Sequence, residues 1–207
     1  MKNKHQVHNL IILDESGSMN SIKKNIINGF NELINSVKNI EEEFLDQEHF
    51  ISLISFNSTK NNVIHFTEPV SKIITINDNN YNPESFTPLF DAMGLSILKL
   101  KHYLKDKNNY SVLVTILTDG EENASKEFSL IEIKKIIEEL KTENWTFTYI
   151  GTDHDIDKTA NDISISNSIF FENNDAGIKK MFEIETTSRV KYSLSIRNGK
   201  KINNNFY

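Results

Sequence analysis

The sequence predicts an α/β fold: a doubly wound, mostly parallel open sheet of Rossmann-like type, with one antiparallel edge strand and helices on both faces. Three observations carry this. Short apolar runs at residues 10–13, 50–56, 110–117 and 145–150 are bounded by turn residues, as in strands buried on both faces. Stretches of helical periodicity separate most of them, which is the alternation of a parallel sheet with crossover helices. One polar turn, residues 57–62, sits between two apolar runs and supplies a hairpin, hence the antiparallel edge.

The elements follow in order. The first strand runs into Asp14, and beyond Met19 the residues Ile22, Ile26, Phe30, Leu33, Val37 and Ile40 recur at helical spacing. Residues 50–56 and 63–66 form the hairpin, and residues 70–76 fit a strand or a helical turn equally. Residues 78–88, rich in Asn and Asp and containing Pro83 and Pro88, form a loop. A helix over 89–104 buries Leu89, Ala92, Met93, Ile97, Leu100 and Leu104, with Thr87 at its cap position and Pro88 at its first helical position. Residues 110–117, rich in Val, Ile and Thr, are the strongest strand and stop at Thr118-Asp119-Gly120. Ser129-Leu130-Ile131-Glu132 is a capping box opening a helix through Leu140. A strand over 145–150, a short helix over 158–163 and a strand over 168–171 complete the alternation. From Asp175 the chain reads as one helix ending at Gly199, although Val190, Tyr192, Leu194 and Ile196 alternate as in a strand. The chain shows no repeat, linker or low-complexity break, so 1–207 is read as one domain, with 188–207 as helix end plus tail.

Composition narrows the function. The chain has 207 residues, 38% hydrophobic and 25% charged, which suits a folded globular domain. Its net charge of −6 argues against nucleic-acid binding, which needs a basic face. With no cysteine there is no disulfide, thiolate metal site or cysteine nucleophile. No apolar run approaches the length of a membrane helix, and the N-terminus leads straight into a strand and not into a signal peptide. The expectation is a cytoplasmic, monomeric domain that binds neither membrane nor nucleic acid.

The chemistry gathers at strand ends. Asp14, Ser16 and Ser18 place three oxygens on one turn, and Asp119 ends a second strand. If the sheet reverses direction between those strands, both carboxylates face one crevice at the switch point. Thr87, at the head of the helix leading into the second strand, can point there too. A set of Asp14, Ser16, Ser18, Thr87 and Asp119 is all oxygen, which suits Mg²⁺, admits Mn²⁺ and fits Ca²⁺ less well. Each residue also has a plainer explanation: capping for Thr87, turn chemistry for the serines and for Asp119-Gly120. The histidines (His8, His49, His65 and His102) read as packed or surface residues. His154 lies on the same sheet edge, and Glu121 and Glu122 read as a solvated rim.

Asp14-x-Ser16-x-Ser18, with Thr87 and Thr118-Asp119-Gly120, resembles the metal-ion-dependent adhesion site (MIDAS) of von Willebrand factor A (vWA) domains. The segments around Tyr81-x-Pro83-x-x-x-Thr87-Pro88-Leu89-x-Asp91-Ala92 and residues 118–125 are similar to small stand-alone A-domain proteins of bacteria and phages. The resemblance implies that Ser16, Ser18 and Thr87 bind the ion directly while Asp14 and Asp119 act through water. It further implies that a partner protein's Asp or Glu fills the position left open. One departure is Ser85, where relatives often have Gly. Two other readings compete with this binding module. A haloacid-dehalogenase-like phosphohydrolase would use Asp14 as nucleophile, but it needs a second Asp where Ser16 stands. An adaptor subunit of an ATPase-driven chelatase or stress-resistance complex would need its ATPase elsewhere, because the chain has no phosphate-binding Gly-rich loop.

Overall fold

The computed structural model describes residues 4–152, 156–200 and 205–207. Six strands form one sheet in the order β3-β2-β1-β4-β5-β6. They are β1 (His5–Asp14), β2 (Gln47–Asn57), β3 (Lys60–Pro69), β4 (Tyr110–Leu117), β5 (Trp145–Gly151) and β6 (Asn167–Phe170). All neighbours run parallel except β2 and β3, the hairpin that makes one edge. The helices are α1 (Lys23–Glu43), α2 (Leu89–Leu104), α3 (Leu130–Lys141), α4 (Ile156–Asp162) and α5 (Asp175–Arg197).

Alternation along β1 builds the two cores. Leu10 and Ile12 face one side, packed with residues of α2, α3 and α4. Ile11 and Leu13 face the other, packed with residues of α1 and α5. A strand covered on both faces is apolar over most of its length, which is why residues 10–13 of β1 and most of β4 read as near-continuous runs rather than as alternating ones.

The predicted elements are all present among the described residues, with adjusted ends. The undecided stretch 70–76 is a short 3₁₀ turn over Val70–Lys72 followed by irregular chain. The C-terminal stretch is one helix, and Gly199 beyond it takes a left-handed φ of 64°, the conformation that stops a helix. The strand-like alternation does not mark one buried face: Tyr192 is buried while Leu194 is 48% exposed. Glu185 and Arg189 lie on the buried face of the helix, each 3% exposed or less. Arg189 donates to Glu185 Oε1 at 2.7 Å, to Thr115 Oγ1 at 2.8 Å and to Asn9 Oδ1 at 2.6 Å, tying α5 to β4 and β1.

Helices α1 and α5 approach closely at Gly29. A methyl group there would lie 2.1 Å from ring atoms of Phe182. Gly29→Ala is therefore expected to destabilise the protein by about 1–3 kcal/mol despite its better helix propensity, read as a lower urea midpoint at unchanged slope.

Candidate functional site

The order β2-β1-β4 puts the sheet's reversal between β1 and β4, with Leu13 level with Leu117. Asp14 and Asp119 therefore emerge side by side at the carboxyl end of neighbouring strands, the usual place for a ligand crevice in such sheets. Asp14 is completely buried. Its Oδ1 accepts the Ser16 backbone N–H at 2.7 Å, and its Oδ2 accepts the Thr118 hydroxyl at 2.6 Å. The first bond is a local Asx turn, which is how a short carboxylate aims the next residues of the loop. Ser16 Oγ lies 3.1 Å from Ser18 Oγ, and Ser18 donates to Asp119 Oδ1 at 2.5 Å. Four of the five predicted residues thus form one chain of hydrogen bonds across the two strand ends.

Thr87 completes the set through a shape and not through a bond. A methyl group placed on Gly120 would meet Thr87 Oγ1 at 3.1 Å, Ser18 Oγ at 3.5 Å and Asp14 Oδ2 at 3.8 Å. The three oxygens face one small gap, which glycine leaves open. The expected capping role of Thr87 is not found: α2 begins at Leu89, Pro88 stands in the cap position, and no side chain caps it there. Proline fixes the local φ but has no hydroxyl to offer, so the Thr87 oxygen is left to the crevice. Instead the Thr87 backbone is clamped by Asn123, whose Oδ1 accepts the Thr87 N–H at 2.9 Å and whose N–H reaches the Thr87 carbonyl at 3.1 Å.

Three supports escaped the sequence reading. Glu15 reads as filler between Asp14 and Ser16, yet it is completely buried. It pairs with Lys60 at 3.0 Å and accepts the Asn82 N–H, while its carbonyl accepts the Glu84 N–H at 2.9 Å. It therefore joins the first loop to the Thr87 loop and to the hairpin, and no local pattern signals this. Tyr81, fully buried, donates its hydroxyl to the Asp14 carbonyl at 2.8 Å. Glu122 is not the solvated rim residue that its sequence context predicts, but half-buried. Its carboxylate accepts the Phe90 N–H at 2.9 Å and those of Ala124 and Ser125 at 2.9 and 2.7 Å, serving the open first turn of α2 from another loop. Glu121 is exposed, as expected. Ser85 holds φ at 69°, which accounts for a glycine preference there, and its carbonyl accepts the Gly17 N–H at 3.0 Å.

His8 and His49 are buried in the fold, His65 bonds Glu68 at 3.0 Å, and His102 is exposed. His154 lies outside the described residues. Among the described residues, no cluster of three or more His, Cys, Asp or Glu is placed to hold a metal. A cation at this edge would therefore rest mainly on hydroxyls.

The electrostatics favour a positive guest. Burial pushes the Asp14 carboxyl up to about 6, against the opposing hydrogen bonds from Thr118 and Ser16. Burial likewise raises Asp119, against the Ser18 hydrogen bond. Among the described residues no Lys, Arg or His pairs with either carboxylate. Two desolvated carboxylates without a counter-charge are costly unless a cation joins them.

The family model described as the von Willebrand factor type A domain matches residues 10–184. Curated protein sequences contain no match to the chain. Among solved structures, the chain is similar to a point mutant of the PilB minor pilin from Streptococcus sanguinis. The identity is 13% and the TM-score 0.66, covering 95% of this chain and 64% of the pilin. It is similar to the pilus adhesin SpaC from Lactobacillus rhamnosus GG in its open conformation, at 11% identity and TM-score 0.59, covering 93% of this chain and 31% of that one. It is also similar to the SpRpn10 VWA domain, at 9% identity and TM-score 0.54, covering 89% and 95%. At these identities the likeness concerns the fold alone, and the chain spans less than two thirds of the pilus proteins' length.

Proposed function

The chain belongs to the von Willebrand factor type A family of protein-interaction modules, and from that premise we propose that it is a Mg²⁺-dependent binding module that recruits a partner protein through an Asp or Glu. The observation that carries this is the convergence of Thr87 Oγ1, Ser18 Oγ and Asp14 Oδ2 on the gap beside Gly120. In this reading Ser16, Ser18 and Thr87 supply neutral oxygens directly to the ion. Asp14 and Asp119, held by Thr118 and Ser18, orient its water or bind it themselves. A divalent ion held mainly by neutral hydroxyls keeps enough charge to attract one more carboxylate. The residues' own work is positional: Tyr81, Glu15 and Asn123 fix the three loops so that the oxygens meet without rearrangement. Mn²⁺ suits the same set and Ca²⁺ suits it less, since Ca²⁺ favours more and charged ligands. We place the domain in the cytoplasm as a monomer; no helix among the described residues is long and apolar enough to cross a membrane.

Mn²⁺ gives the direct test, because water exchanging on a protein-bound Mn²⁺ shortens the proton relaxation time. The expected result is enhancement saturating at one Mn²⁺ per chain and competed by Mg²⁺. Acetate should then lower it by displacing water from the ion, whereas acetamide should not. Absence of saturable enhancement, or equal effects of the two additives, would refute the proposal.

A further inference from the structure

We propose that the cleft between α5 and the sheet is a binding site for an aromatic–tyrosine pair, and that Phe206 and Tyr207 fill it as a displaceable ligand belonging to the chain itself. Phe206 is 2% exposed and packs on Val7 of β1, Leu113 of β4 and Tyr192 of α5. Its ring lies 5.9 Å from that of Tyr192 and 4.9 Å from that of Tyr207, both at steep angles. Two polar contacts fix the register. The Phe206 N–H donates to Asn167 Oδ1 at 3.0 Å, and the Tyr207 hydroxyl donates to Glu185 Oε2 at 2.9 Å. Glu185 is itself buried, and its other oxygen is taken by Arg189.

This arrangement differs from ordinary core packing. Neither Phe206 nor Tyr207 belongs to a helix or strand, and the Phe206 N–H is satisfied by a side chain and not by a ladder. Among the described residues, the pair can therefore leave without breaking a helix or a strand. What it would uncover is chemically specific: an apolar pocket sized for one ring and a buried carboxylate oxygen seeking a hydroxyl. A buried acceptor left without its donor is penalised, so the cleft should prefer tyrosine over phenylalanine at the second position. The occupant this chemistry selects is a peptide segment with an aromatic residue followed by Tyr, which the chain supplies in cis.

The test uses the full chain with Phe206→Ala and Tyr207→Ala together, and a fluorescent peptide of residues 198–207. The variant should melt at a lower temperature, bind one peptide saturably and regain melting temperature when it does. The wild type, its cleft already filled, should bind at least about tenfold more weakly, as should a peptide with Phe in place of Tyr207 for the variant. A folded variant that ignores the peptide, or a wild type that binds it equally well, would overturn the proposal. So would a wild-type dimer in light scattering that dissociates on adding the peptide, because the tail would then sit in a second copy. If the variant does not fold, hydrogen exchange of the wild type decides. The Phe206 amide should exchange by local opening, insensitive to low denaturant, and faster than amides of β1 and β4. Exchange only with global unfolding would make the pair plain core.

Discussion

Replacing Ser16 and Ser18 together by alanine is expected to abolish Mg²⁺ binding and leave the fold intact. The two hydroxyls bond each other and Asp119, and Ser18 is exposed, so their removal opens no large cavity. Stability should fall by no more than about 3 kcal/mol, the net worth of one neutral hydrogen bond and one to a carboxylate. If both hydroxyls are direct ligands as proposed, their loss should reduce affinity by more than the roughly 10- to 100-fold that follows loss of a supporting group. Titration calorimetry with MgCl₂ reads the affinity, and circular dichroism and urea unfolding read the fold. Undiminished heat from the double variant would show that these oxygens are not the ligands.

Acid is expected to unfold the protein through two histidines far from that crevice. Burial, assisted by the charges of Lys107 and His5, lowers His8 to about 4, and burial with Arg189 and His5 lowers His49 to about 3. Both start from 6.5 in the unfolded chain, so the folded state binds fewer protons in the window below that value. Their contribution is present above pH 6.5 and is lost as pH falls through the folded values. At pH 4 the two together should remove ~6 kcal/mol, by linkage at 1.36 kcal/mol per unit. Asp14 works in the opposite direction. Its folded value of about 6 lies above its unfolded 3.8, so stability is gained as pH falls between them, offsetting ~2 kcal/mol at pH 4. A net loss of ~4 kcal/mol is a large share of a typical domain's stability.

The measurement is the urea midpoint at pH 7 and pH 4.5. His49→Gln removes the titrating group, and His8→Phe keeps the stack on Phe50, whose ring lies 4.9 Å away. Each should flatten the acid limb. If neither variant alters the difference between the two pH values, these histidines are not the cause. At saturating Mg²⁺ the Asp14 gain should disappear, making the loss on acidification steeper than in EDTA.

The fold was legible in the sequence because its signals are local. Strands buried on both faces are nearly continuous apolar runs, helices packed on one face repeat with their turn, and Ser129 with Glu132 forms its capping box within four residues. Four of the five candidate site residues were legible for a similar reason. Asp14, Ser16 and Ser18 share one turn, and Asp119 ends a strand at a visible Asp-Gly. Thr87 fits both the crevice and a cap, and the local pattern cannot choose, because Thr-Pro heads a helix in either case. Glu122 is hidden for a related reason: a carboxylate in a Glu-Glu-Asn stretch looks solvated unless the donors it meets, on residues 90, 124 and 125, are known to surround it.

Periodicity, punctuation and the Asp-x-Ser-x-Ser spacing therefore determined the elements, their alternation and the oxygen-rich strand end. Strand order and loop packing decided the rest. They made β1 and β4 neighbours, so that Asp14 meets Thr118 across the reversal of the sheet. They buried Glu15 beside Lys60, set Arg189 of α5 against Asn9 of β1, and returned Phe206 to the side of Val7. Each of these contacts joins residues distant in the chain, and its energy depends on desolvation that exists only once the sheet is assembled. Hydrophobic pattern is written residue by residue, whereas the pairing of buried polar groups is settled by which surfaces the finished fold brings together.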